Sequence, residues 1–165
     1  MPAIDPILME IEQESKVTQR VLDRVPADKL SWKPHAKSMT LGQLAMHLAV
    51  GQGRLAEIIA KDTHEIGDIS QPQPGSQKDI LEGFTEGTAT ALETLKKLNE
   101  TQLMAMWTLT KGGKTVLSAP RIGVIRSILM NHFYHHRGQL SVYLRMLDVP
   151  IPSIYGPSAD ENPFA

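Results

Sequence analysis

Apolar residues recur every three or four positions in four stretches of the chain, the period of helices that bury one face. The first stretch opens at Asp5-Pro6, with Asp5 available to cap and Pro6 suited to the opening turn. It carries Ile7, Leu8, Ile11, Thr18, Val21, Leu22 and Val25 up to Pro26. The second follows Thr40-Leu41-Gly42-Gln43, where Thr40 and Gln43 can satisfy each other's exposed backbone N–H groups, and its stripe is Leu41, Leu44, Leu48, Leu55, Ile58 and Ile59. Ser76-Gln77-Lys78-Asp79 repeats the capping pattern ahead of Ile80, Leu81, Phe84, Ala91, Leu92, Leu95 and Leu98, with Gly83 and Gly87 weakening the helix locally. The strongest period comes last, in Val124, Ile128, Leu129, His132, His136, Leu140, Tyr143, Leu144 and Leu147, opened by Ser118 and Pro120 and closed by Pro150 and Pro152.

The connections are long. Gly67 to Gly75, with Ser70, Pro72 and Pro74, cannot continue a helix. Residues 103–117 hold Thr108-Leu109-Thr110 and Thr115-Val116-Leu117 about Gly112-Gly113, readable as two short β-like runs or as an irregular excursion. The prolines from Pro150 to Pro163 predict an extended C-terminal tail. Four helices and hardly any strand pattern predict an all-α chain, a four-helix bundle with long interhelical connections, forming one domain over residues 1–165.

Composition narrows the possible functions. The 165 residues include 17 Lys plus Arg against 18 Asp plus Glu, a net charge of −1, with no concentrated basic run. That balance argues against nucleic acid and against an anionic membrane surface as partners. No apolar run approaches the roughly 20 residues that span a bilayer, and Met-Pro-Ala-Ile-Asp-Pro does not read as a leader, so a cytoplasmic location is expected. The absence of cysteine removes disulfides, thiolate metal sites and Cys nucleophiles together. Any metal must then sit on nitrogen or oxygen, and any thiol chemistry must use a thiol supplied with the substrate.

The candidate chemistry lies in the histidines. His132 and His136 share a helix face at i and i+4, in line with the apolar stripe of the last helix. Two buried neutral imidazoles need partners and two charged ones repel, a difficulty that a metal ion resolves. His47 repeats the anomaly among the inward positions of the second helix and makes a third ligand. The competing reading is a set of hydrogen-bonded core histidines. Three imidazoles leave an ion a vacant position and its full double charge, which suits hydrolysis or thiol transfer. His135 reads as a neighbour of the site or a surface residue, and His35 and His64 as solvated loop residues. His64-Glu65-Ile66-Gly67-Asp68 lacks the second histidine of a helical zinc-protease motif. Arg137 and Arg145 read as charges compensating a helix C-terminus, Gly138 as a packing glycine, and Ser127 and Ser141 lack a nucleophile-elbow context.

Four segments resemble the DinB-like (damage-inducible) metalloprotein superfamily. They are Val25-Pro26-Ala27-Asp28-Lys29-Leu30-Ser31-Trp32-Lys33-Pro34, Thr40-Leu41-Gly42-Gln43-Leu44-Ala45-Met46-His47, His132-Phe133-Tyr134-His135-His136-Arg137-Gly138-Gln139-Leu140, and Pro150-Ile151-Pro152-Ser153-Ile154-Tyr155-Gly156-Pro157. The likeness spans almost the whole chain. It implies a helical bundle, frequently a homodimer, with a divalent metal, zinc or nickel, on His47, His132 and His136. Some relatives are thiol S-transferases using bacillithiol, mycothiol or glutathione; others are isomerases or proposed hydrolases. The expected function is therefore transfer of a low-molecular-weight thiol to a small-molecule electrophile through a metal-bound thiolate. The alternatives are a metal-dependent hydrolase, with Glu10 or Glu14 as base if either faces the site, and a non-catalytic bundle that binds metal or ligand in a stress response.

Overall fold

Side-chain caps decide where three of the helices begin. In the computed structural model, which describes residues 2–67 and 72–165, the elements are α1 (Asp5–Leu22), α2 (Leu41–Ala60), β1 (Thr63–Glu65), α3 (Gln77–Lys96), α4 (Glu100–Met104), β2 (Met106–Lys111), β3 (Lys114–Pro120), α5 (Arg121–Val124), a π-helical turn (Ile125–Met130) and α6 (Asn131–Met146). Gln43 N–H donates to Thr40 Oγ1 at 3.1 Å while Thr40 N–H donates to Gln43 Oε1 at 3.0 Å, the reciprocal pair expected at the start of α2. Ser76 and Asp79 do the same for α3, and Asn99 and Gln102 for the short α4. At α1 Asp5 is the first helical residue rather than the cap, its carboxylate placed in the positive first turn.

The four long helical stretches form a ring, α1 touching α3 and α6, and α2 touching α3 and α6. The tightest approach is α2 on α3. A Cβ built on Gly53 would lie 2.8 Å from the Gly87 carbonyl oxygen, and one on Gly87 would lie 2.7 Å from the Ala49 carbonyl oxygen. Gly87 costs α3 some helix propensity but lets two backbones meet. Gly138 has the opposite character: a Cβ there would meet nothing within 4 Å, so it is not a packing glycine.

The expectation of an all-α chain is corrected by a three-stranded sheet in the order β1-β2-β3. β2 and β3 form an antiparallel hairpin about Gly112 and Gly113, whose φ values of 57° and 73° are ones that glycine adopts without strain. β1 runs parallel to β2, pairing Thr63 with Thr108 and Glu65 with Thr110. Ser118 therefore belongs to a strand, its partner Thr108, and does not open the last helix. The remainder is mostly helical, as expected. Of the connection between Gly67 and Gly75, residues 68–71 lie outside those described, and so does Asp68 of the His64–Asp68 segment.

Two buried arginines fix the last helix. Arg121, 1% exposed, donates from Nε to the Ile59 carbonyl at 2.8 Å and from Nη2 to the Lys61 carbonyl at 3.2 Å and Asp62 Oδ1 at 2.7 Å. Its Nη1 also donates to the Gln102 carbonyl. Those carbonyls at the end of α2 have no helical partner of their own, so the guanidinium closes the helix that carries His47. Arg137 is also 1% exposed and pairs with Glu14 at 2.7 Å, donates to Thr18 Oγ1 at 3.1 Å, and lies over the rings of Tyr134 and Tyr155. It is an internal ion pair in the middle of α6 rather than a charge at a helix end. Beyond Met146 the chain forms no helix or strand, and Arg145–Asp160 and Arg20–Glu161 ion pairs fasten it to α6 and α1.

The two glycines predict opposite stability changes. Gly87→Ala is expected to destabilise by about 1–3 kcal/mol through overpacking, whereas Gly138→Ala is expected to stabilise by up to about 1 kcal/mol. Urea denaturation followed by circular dichroism measures both, and equal effects would remove the α2–α3 close approach as the reason for Gly87.

Candidate metal centre

α2 and α6 pack together, and their facing sides bring three imidazoles to one point. His132 Nε2 lies 2.6 Å from His136 Nε2 and 3.4 Å from His47 Nε2. Each of the three half-buried residues offers one ligand atom, all within 4.8 Å of one another. Ring nitrogens so close can share a proton or a cation; otherwise their lone pairs face each other. A donor set of three neutral imidazoles suits a divalent transition metal, so the residues present fit such an ion. The expected trio is thus brought together.

The residues around the trio prepare it for that role. Gln139 Oε1 lies 2.7 Å from His136 Nδ1, and a carboxamide oxygen only accepts, so the ring proton sits on Nδ1 and the Nε2 lone pair faces the other histidines. Burial holds the His132 imidazole below the ordinary histidine range, and the neighbouring charges of His47 and His135 push it the same way. Burial also lowers His136, with the Gln139 hydrogen bond opposing and the charges of His132 and His135 assisting. The neutral, ligating form is favoured at both positions.

Two spaces share the histidines in their walls. The inner one is a cleft of about 10 Å³ walled by Leu48, Leu55, Leu129 and Phe133, with His47, His132, His136 and Gln52 as its polar side chains. The outer is a cavity of about 790 Å³ lined mainly by apolar groups, including Val50, Leu55, Ile58, Trp107, Leu109 and Ile128, with Arg54, His64 and Glu65 among its polar lining. Its outer wall is formed by β1, which the sequence did not suggest, and β2, one of the two β-like runs it offered about Gly112-Gly113. The Trp107 indole, 1% exposed, donates to the Ile58 carbonyl at 3.4 Å and ties β2 to α2.

The remaining candidates separate from the trio. His135 is exposed, its ring 4.9 Å from that of His136, and His35 sits in an exposed turn. His64 is not a loop residue: it lies in β1 and lines the outer cavity. Glu10 and Glu14 line neither space. Glu10 accepts from Arg126 and the Tyr134 hydroxyl, and Glu14 from Arg137 and the Tyr155 hydroxyl, so neither is placed as a base. Gln52 was missed by the sequence reading, although a polar residue between Leu48 and Ala56 on the buried stripe of α2 marks it in the same way as His47.

A pH dependence follows from the lowered imidazoles. On acidification through about 6.5 the unfolded chain takes up protons that the folded chain still resists, so the folded state loses stability as pH falls and holds it in full above that value. Between about pH 7.5 and 5.5 the metal-free protein should show a falling Tm, and the double variant His132→Gln/His136→Gln a smaller fall over the same window. Identical slopes in a calorimetric series would count against buried, neutral imidazoles.

Comparisons with known proteins agree with this architecture. The chain is 26% identical over 164 residues to the uncharacterized protein YrdA of Bacillus subtilis (strain 168), covering 96% of this chain and 91% of the relative. It is 28% identical over 131 residues to the uncharacterized protein YjoA of the same organism, covering 78% and 80% respectively. A crystal structure of a DinB-like protein from Bacillus cereus ATCC 10987 shares the fold, with a TM-score of 0.72 at 24% identity over 92% of this chain and 97% of that one. The crystal structure of YjoA does so with a TM-score of 0.69 at 20% identity, covering 91% and 98%. With the DinB family profile matching residues 4–162, nearly its full length, the chain belongs to the DinB family.

Proposed function

We propose that this chain is a metal-dependent enzyme that transfers a low-molecular-weight thiol to a small electrophile, with His47, His132 and His136 holding a zinc or nickel ion. The observation that carries the reading is the convergence of three imidazole nitrogen donors, without a carboxylate among them, beside a large and mostly apolar cavity. A divalent ion on neutral ligands keeps its full charge and, when bound, acidifies a thiol or a water. Gln139 holds the His136 ring in its ligating tautomer. Leu55, Ile58, Trp107, Leu109 and Ile128 keep bulk water from the thiol and receive the apolar part of the electrophile. The cavity volume falls in the range of roughly 300–1,000 Å³ common for small-molecule sites.

The residues lining the site favour thiol transfer over hydrolysis. Hydrolysis asks for a base beside the attacking water. Among the described residues Glu65 is the one carboxylate lining either space. It accepts from the Thr110 hydroxyl and the Gly112 N–H, and the Thr110 hydrogen bond leads in holding its pKa below the usual carboxylate value. A carboxylate so engaged is a poor base. A thiol, with an ordinary pKa of about 8.5, loses its proton far more readily than water and so depends less on such a base.

Metal analysis of wild type and His136→Ala tests the centre, together with a screen of thiols such as glutathione against alkyl and epoxide electrophiles. Wild type is expected to retain close to one ion per chain and to conjugate, and His136→Ala to lose both. Equal metal content in two equally folded proteins would exclude His136 as a ligand. Gln139→Leu should bind the metal about 10–100-fold more weakly with Tm little changed; competition with a chelating dye measures the difference.

A further inference from the structure

We infer that Gln52 contacts the exogenous ligand of the histidine centre, its carboxamide forming a hydrogen bond to the small molecule that enters the cleft between His47, His132 and His136. The inference rests on the metal-centre reading above and adds to it a protein group that meets the ligand rather than the ion.

Gln52 is 3% exposed and lines the same cleft as the three histidines. Its Oε1 is buried and bonded to nothing among the described residues. A buried amide oxygen without a partner costs about as much as a lost hydrogen bond and is rarely kept without reason. Packing does not supply the reason. Leu48, Ala49, Gly53 and Ala56 surround the position on the buried face of α2, where an apolar side chain would serve. Two other buried side-chain oxygens without partners, Ser15 Oγ and Thr88 Oγ1, line neither space, so Gln52 alone of the three is placed at the site.

The size of the cleft fits the missing partner. Its volume of about 10 Å³ admits a molecule no larger than a water or the reacting atom of a larger ligand. Leu48, Leu55, Leu129 and Phe133 offer that atom no polar side chain, so the imidazoles and Gln52 are the polar side chains left to meet it. A carboxamide is suited to more than one guest: its C=O accepts from a water O–H, and its N–H donates to an anion when the end group turns over. Gln52 can therefore hold either a water or an anionic nucleophile in place.

Gln52→Leu, which keeps the size and removes the polar end, provides the test with Co(II) as the ion and azide as the probe. The metal-free variant should be no less stable than wild type, because no protein partner is lost. Cobalt per chain should match wild type. Azide affinity, read from the visible spectrum of the cobalt form, should fall about 5–20-fold, and Gln52→Glu should weaken it further by charge repulsion. A drop of several degrees in the Tm of metal-free Gln52→Leu, loss of cobalt, or unchanged azide affinity would each overturn the inference. Failure of wild type to take up cobalt would overturn it together with the metal centre, whereas normal cobalt with unchanged azide affinity overturns the role of Gln52 alone.

Discussion

The site depends on the buried guanidinium of Arg121. It joins the last carbonyls of α2 to the first turn of the helix that leads to His132 and His136, so the end of one histidine-bearing helix and the start of the other are tied to one point. An ammonium could not replace it, because the planar fork reaches Ile59, Lys61, Asp62 and Gln102 at once. Midway along α6 Arg137 ties the same helix to Glu14 and Thr18 of α1 and to Tyr155 of the C-terminal segment. A rotation of the helix about its axis would break the contacts of both arginines. A rotation by one residue, about 100°, would carry His132 and His136 away from His47.

The π turn at Ile125–Met130 belongs to the same constraint. An α-helix of uniform pitch presents one stripe, but this element serves two sets of neighbours. Before and within the turn Val124, Ile125 and Leu129 fill the apolar cluster that contains Trp107 and Leu103; after it Phe133, Leu140 and Leu144 fill the cluster that contains Leu44 and Phe84. Wider turns of this kind shift the phase of a helix and occur often beside functional sites. Here His132 is the second residue beyond it.

Local signals were legible. The capping pairs at Thr40 and Ser76 are written within four residues, and the histidines stood out because they broke apolar stripes at helical spacing. Nonlocal ones were not. Thr63-His64-Glu65 is too short to read as a strand until Thr108–Thr110 lies alongside it. Arg121 drew no reading and Arg137 read as a charge at a helix end because arginine is seldom buried, and their burial is set by acceptors from other elements, up to 123 positions away for Arg137. Gly87 read as a weakness in a helix because its neighbour, Ala49, comes from a different one. Gln52 carried the same signal as His47 but belongs to a residue type that seldom prompts a search for chemistry.

The outer cavity has a floor and a roof of different origin. The floor is helical and carries the imidazoles, locked by buried guanidinium groups; the roof is β1 and β2, a small sheet attached at its edge. A change at His64, Ile66 or Leu109 reshapes the chamber without touching His47, His132, His136 or a buried arginine. The imidazole donors and the shape of the chamber thus reside in separately replaceable parts, and a scaffold so divided can exchange one guest for another while keeping its donor atoms.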